Sequence, residues 1–135
     1  MFWSDPETVK ILQFMQRMNM DHPDKPTPLS PRLRDQRLNF IREELEELTA
    51  ADNMVDEVDA LIDLVYVVKG YAILLGVGGI WDQLFQQVQT ANVSKRPGSS
   101  SRLAQDAIKP DNWVGPESGL RRLLESAGAK GEHLS

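Results

Sequence analysis

Residues 52–75, DNMVDEVDALIDLVYVVKGYAILL, constrain this chain more than any other stretch. On a helix advancing about 100° per residue, Asp52, Asp56, Asp59 and Asp63 fall within roughly 60° of one another. Val55, Val58, Leu61, Ile62, Leu64, Val65, Tyr66, Val68, Ala72 and Ile73 make the rest of that helix apolar on nearly every side. A helix apolar all round belongs in a core, so the acidic stripe is expected to run into the protein. No Lys or Arg stands three or four residues from any of these aspartates, and stacked like charges at that spacing repel. Buried carboxylates without partners take up a proton or bind a cation. A metal ion is the simplest cation to supply.

Composition narrows which metal. The 135 residues contain no cysteine and two histidines, His22 and His133, which excludes a thiolate site and disfavours a histidine site or a catalytic triad. Oxygen ligands alone select a hard cation, magnesium or manganese. A net charge of −5 argues against binding a nucleic-acid polymer. The longest uncharged apolar run, from Gly70 to Trp81, is too short and glycine-rich to span a membrane. The start MFWSDPETVK lacks a basic region followed by an apolar one. The expectation is a single cytoplasmic domain over residues 1–135.

Along the chain, Ser4-Asp5-Pro6-Glu7 reads as a capping box, opening a helix with Val9, Ile11, Leu12, Met15 and Met18 on one side and ending near Met20. Prolines 23, 26, 28 and 31 make DHPDKPTPLSP an ordered surface loop. A second helix is expected over 31–51, with Leu38, Ile41, Leu45 and Leu48 as its stripe. The junction to the central helix is short, so the two should pack antiparallel. Gly76-Val77-Gly78-Gly79 closes the central helix, and Trp81, Leu84, Phe85 and Val88 mark a fourth that ends near Asn92. Residues 94–135 read as mostly loop, carrying Lys95, Arg96, Arg102 and Lys109, with a short helix over 118–127. No strand signal and no repeat is evident. The fold class is all-α: an antiparallel bundle of four to five helices, its core about 5–93, with a loop-rich C-terminal extension.

The second helix adds Glu43-Glu44-Leu45-Glu46-Glu47. A glutamate-rich face is ordinarily solvated surface, and Glu46 reads as that. Glu44 lies nearest the apolar stripe, and an antiparallel neighbour brings a second acidic face toward it. Facing like charges cost stability unless a cation lies between them. Asp52 can serve as a helix cap, and Asp63 can orient ligands from behind them or meet a lysine.

Glu43, Glu44 and Glu47, a spacer, then Asp56 and Asp59 followed by ALIDLVYVV resemble the all-α nucleoside triphosphate pyrophosphohydrolases, the MazG-like superfamily. Asn92-Val93-Ser94-Lys95 looks like that superfamily's Asn-x-x-Lys element, and Lys109-Pro110-Asp111-Asn112-Trp113 like the Lys-Pro-x-x-Trp segment of its short phage and bacterial members. The family carries Glu where this chain has Asp56, which is shorter by one methylene. The resemblance implies cleavage between the α- and β-phosphates of a nucleoside triphosphate, giving monophosphate and pyrophosphate with Mg²⁺ or Mn²⁺. It implies Glu43, Glu44, Glu47, Asp56 and Asp59 as metal ligands, with Glu43 or Glu44 as the catalytic base. It also implies Asn92, Lys95, Arg96 and Lys109 on the substrate, and Asp63 behind the ligands. A deoxynucleotide such as dGTP or dUTP, a homodimer or homotetramer, and the cytoplasm of a bacterium or phage-infected cell follow from the same likeness. Trp3, Phe14, Met15 and Met18 are candidate walls for the base. The competing reading is a non-catalytic helical oligomerisation or regulatory module whose acidic groove binds a basic partner.

Overall fold

A computed structural model describes residues 3–98 and 107–135; Arg102 lies outside the described residues. Among the described residues, five α-helices carry the fold: α1 (Pro6–Arg17), α2 (Pro31–Ala50), α3 (Met54–Leu74), α4 (Trp81–Val93) and α5 (Glu117–Ser126). The all-α expectation holds. A two-residue antiparallel ladder pairs Arg96 with Ile108 and Pro97 with Ala107, as β1 (Arg96–Pro97) and β2 (Ala107–Ile108). It is too short to leave an alternating pattern in the sequence.

Helix ends follow local chemistry. Asp5 caps α1, rather than Ser4, by accepting the Thr8 N–H at 3.1 Å, with Pro6 next in the first turn. Ser4 instead donates to Asp82 at the start of α4, 2.6 Å away. Ser30 caps α2, and Asn53, not Asp52, caps α3 by accepting the Asp56 N–H at 2.9 Å. At the far end of α3, Gly76 adopts φ +80° and returns its N–H to Ile73. A Cβ there would collide with the Lys25 carbonyl. That glycine lets the proline-rich loop lie against the helix end, where the Thr27 N–H donates to Leu75 at 2.9 Å. The chain then bends by 111° into the segment that carries α4.

α2 and α1 both pack on α3. The closed core is small: Ile11 and Met15 of α1 meet Ile73 and Leu74 of α3, with Leu12, Leu33 and Tyr66 around them. Lys69 ties α1 to α3, its ammonium donating to Asp5 and Glu7, each at 2.7 Å. Burial alone would lower the Lys69 pKa, but these two carboxylates outweigh it and hold it above its ordinary value. Burial likewise pushes Asp5 up, and the bonds from Lys69 and Thr8 pull it below the usual carboxylate range.

Here the expectation for the central helix needs correction. Only Ala60, Gly70, Ala72, Ile73 and Leu74 of α3 are buried. Val55, Val58, Leu61, Ile62, Val65 and Val68 are exposed, and Phe85 of α4 joins them. Asp52, Asp56 and Asp59 are exposed as well; Asp63 is half-buried. The physical reason is geometric: α1 and α2 cover one side of α3, and nothing within the described chain covers the other. No single helix among the described residues is long and apolar enough to cross a membrane.

Candidate active site

The antiparallel pair α2–α3 brings one carboxylate trio together. Oxygens of Glu44, Glu47 and Asp63 all lie within 4.8 Å of one another. Glu44 and Glu47 are three residues apart and so share a face of α2. Asp63 meets them from α3. The Glu44 Oε2 is buried and has no hydrogen-bond partner. Burial first, then the negative charges of Glu47, Asp63 and Glu43, push the Glu44 carboxyl up. Burial, then Asp59 and Glu47, push Asp63 up as well. Both shifts have burial as their first cause, and neighbouring negative charges add to it.

The other expected residues flank this trio. Glu43 and Asp59 are close enough for their charge to act on it. Asp56 sits nearer the start of α3, where its carboxylate accepts from Asn53 Nδ2 at 2.8 Å. Asp63, expected behind the ligands, supplies one of the three closest oxygens. That placement depends on the register between two helices, which spacing within one helix does not give.

The basic residues gather elsewhere. The Trp113 indole N–H donates to the Ala91 carbonyl at 2.8 Å, pinning the C-terminal segment to α4. The Lys95 and Lys109 ammonium groups lie 5.2 and 4.7 Å from the centre of that ring, within cation–π range. Arg96 is exposed in β1, and Asn92 is exposed in the last turn of α4. None of the four is among the charges acting on Glu44 or Asp63.

Two residues were not read from the sequence as parts of a site. Arg37 of α2 lies with its guanidinium 5.0 Å from the centre of the Phe40 ring, its Nε buried and unpartnered. Tyr66 of α3 stands edge-on to Phe14 at 5.7 Å. The available signal was the seven-residue spacing from Arg37 to Glu44, which puts both on one face of α2. Of the expected base-pocket walls, Phe14 and Met15 line a cavity with Arg37, whereas Trp3 lines a separate one with His22. Met18 is half exposed.

An all-α hairpin whose two helices face each other with carboxylates is consistent with the class of all-α nucleotide pyrophosphohydrolases. The family model described as phosphoribosyl-ATP pyrophosphohydrolase matches residues 11–92, and the chain belongs to that family. The match spans α2, α3 and the carboxylate trio. No curated protein matches the chain.

Proposed function

We propose that this protein is a magnesium- or manganese-dependent deoxynucleoside triphosphate pyrophosphohydrolase, cleaving the α–β bond of a substrate such as dGTP or dUTP. The observation that carries the reading is the buried, unpartnered Glu44 Oε2 beside Glu47 and Asp63. An all-carboxylate donor set with an orphaned anionic oxygen suits a hard divalent cation. Glu44, Glu47 and Asp63 would hold it, with Glu43, Asp59 and Asp56 along the same two faces. Such a cation, when bound, neutralises phosphate oxygens and lowers the pKa of water.

The chain's own residues supply the rest. Glu43 or Glu44 orients the attacking water and accepts its proton, directing it at the α-phosphorus. The electron pair leaves with the bridging oxygen, so pyrophosphate departs intact. Lys95, with Arg96 and Lys109, offers positive charge to the β- and γ-phosphates, and Asn92 offers a hydrogen bond to sugar or phosphate. The exposed apolar face of α3 supports assembly into a dimer or a dimer of dimers, with the active site near the subunit contact.

A panel of nucleoside triphosphates, assayed for pyrophosphate with and without chelator, tests the proposal. In ¹⁸O-labelled water the label should appear in the monophosphate. Label in pyrophosphate means attack at the β-phosphorus, and phosphate as the first product means attack at the γ end; either overturns the assignment. A chain without triphosphate hydrolysis in any divalent metal would return the reading to a non-catalytic helical module.

A further inference from the structure

Gly70 lies buried in the interior of α3, and a methyl group built on its Cα would meet nothing within 4 Å. Glycine is among the poorest helix formers, and alanine the best. Packing therefore does not require glycine here; the backbone has been left bare beside open space. That space is a cavity of about 180 Å³ lined by Gly70 and Tyr66 of α3, Arg37 and Phe40 of α2, and Phe14 of α1. Its volume is small for a whole nucleotide and suits one planar fragment.

The charged group in this cavity is Arg37. Its guanidinium carbon lies 5.0 Å from the centre of the Phe40 ring, and its Nε–H is buried without an acceptor. Tyr66 and Phe14 add two more rings. Aromatic walls with hydrogen-bonding groups at the base edge are the usual way a protein holds an unstacked base.

Position along the groove adds the second argument. Arg37 and Glu44 are seven residues apart on α2, about 10.5 Å along its axis, and Gly70 and Asp63 are seven apart on α3. Antiparallel packing sets Glu44 against Asp63 at one end, and Arg37 against Gly70 at the other. A triphosphate held at the carboxylates would lay its base toward Arg37.

We propose that this cavity is the nucleobase pocket and that Arg37 selects a 6-oxopurine, guanine or hypoxanthine, by donating to O6 and N7. This rests on the pyrophosphohydrolase reading above. Arginine has five donors and no acceptor, so it favours a base edge with two adjacent acceptors. Guanine presents O6 and N7; adenine sets a donor amino group beside N7. Uracil and thymine place an N–H between their carbonyls. Cytosine offers O2 and N3, but O2 sits beside the sugar, and the two-turn separation favours an edge remote from it.

Steady-state rates of the full chain on dGTP, dITP, 7-deaza-dGTP, dATP, dCTP and dUTP test this, together with Arg37→Lys and Gly70→Ala. The unmodified protein should favour dGTP and dITP over dATP and dUTP by about tenfold or more in kcat/KM, as expected where a buried donor is left unpaired. 7-Deaza-dGTP, which lacks the N7 acceptor, should fall to the level of dATP. Arg37→Lys should erase the preference, because lysine keeps the charge and loses the fork. Gly70→Ala should raise the melting temperature by a few degrees while raising KM for purines. Preference for dCTP, dATP or dUTP, full activity on 7-deaza-dGTP, or an Arg37→Lys enzyme with intact selectivity overturns the pocket. So does a Gly70→Ala variant with a lower melting temperature or an unchanged KM. Thermal shift with dGMP against dAMP, without metal, reads the pocket independently of turnover. Equal shifts reject it, and a dGMP-specific shift without hydrolysis rejects the enzyme reading while retaining the pocket.

Discussion

Glu44 of α2 and Asp63 of α3 bring carboxylate oxygens within 4.8 Å of each other, and no Lys or Arg among the described residues pairs with either. The fold by itself holds this arrangement at a cost. Replacing Asp63 by Asn should therefore stabilise the metal-free protein, because one of the crowded charges is gone. The same change should abolish the rise in melting temperature that Mg²⁺ or Mn²⁺ gives the unmodified chain. Calorimetry reads both signs in one series. An undiminished metal-induced shift in Asp63→Asn would remove Asp63 from the ligand set, and Asp59→Asn tests its neighbour in the same way.

The pH dependence of the metal-free protein follows from the same pair. Glu44 and Asp63 have ordinary values of 4.5 and 3.8, and both are raised in the fold. A raised carboxylate binds its proton more tightly folded than unfolded. Stability from it is full below the ordinary value and declines as pH rises through the raised one. The metal-free melting temperature should thus fall as pH climbs from about 4 toward neutrality. Saturating divalent metal should flatten or reverse that slope. A metal-free protein that gains stability steadily from pH 4 to 7 would contradict the assignment of these shifts.

Asp5, in its ion pair with Lys69, shows the opposite sign to Glu44 and Asp63. Asp5 is lowered from 3.8 and Lys69 is raised from 10.5. Their contribution is present between these values, lost as pH falls through the depressed Asp5 value and lost as pH rises through the raised Lys69 value. Lys69→Met should destabilise by about 2 kcal/mol at neutral pH, since it strands two carboxylates. Asp5→Asn combined with it should cost less than the sum of the two single changes. Additive single effects, measured by denaturant unfolding, would mean that the ion pair contributes nothing.

Assembly is the next expectation. Leu61, Ile62 and Val65 are 48, 58 and 45 % exposed on one face of α3, and contiguous apolar surface of this kind marks an interface. Light scattering at micromolar concentration should give at least a dimer. Val65→Asp or Ile62→Asp should shift the protein toward monomer with its helix content retained. A monomeric unmodified chain would contradict this.

Much of this was legible in the sequence because helices write themselves as a period and a cap. Pro6, Pro31 and the Gly76 stop placed three helices to within a few residues, and facing Glu and Asp sets marked the helix pair that carries the site. What the sequence did not give was relational. The apolar surround of α3 says that its faces avoid water, not whether α1, α2 or another copy covers each. Asp63 joins the trio only through the register between α2 and α3. Arg37 and Gly70 look like a surface arginine and a weak helix residue until the cavity between them is seen.

The final expectation concerns the charged end of the substrate. Trp113 donates its indole N–H to Ala91 and offers its ring to Lys95 and Lys109 at 5.2 and 4.7 Å. The ring steadies both ammonium groups by cation–π attraction. A polyphosphate would accept charge-assisted hydrogen bonds from these lysines, so they should contribute to triphosphate binding and not to metal binding. Lys95→Ala should lower kcat/KM by about tenfold, roughly 1.4 kcal/mol, with divalent affinity unchanged by calorimetry. Trp113→Phe keeps a ring but loses the bond to Ala91, so it should reduce the same ratio and loosen the C-terminal segment in hydrogen exchange. Rising salt should weaken the unmodified enzyme's triphosphate binding more than that of Lys95→Ala, because one screened charge is already absent. A Lys95→Ala enzyme with unchanged kinetics and unchanged salt dependence would leave this cluster a purely structural clasp.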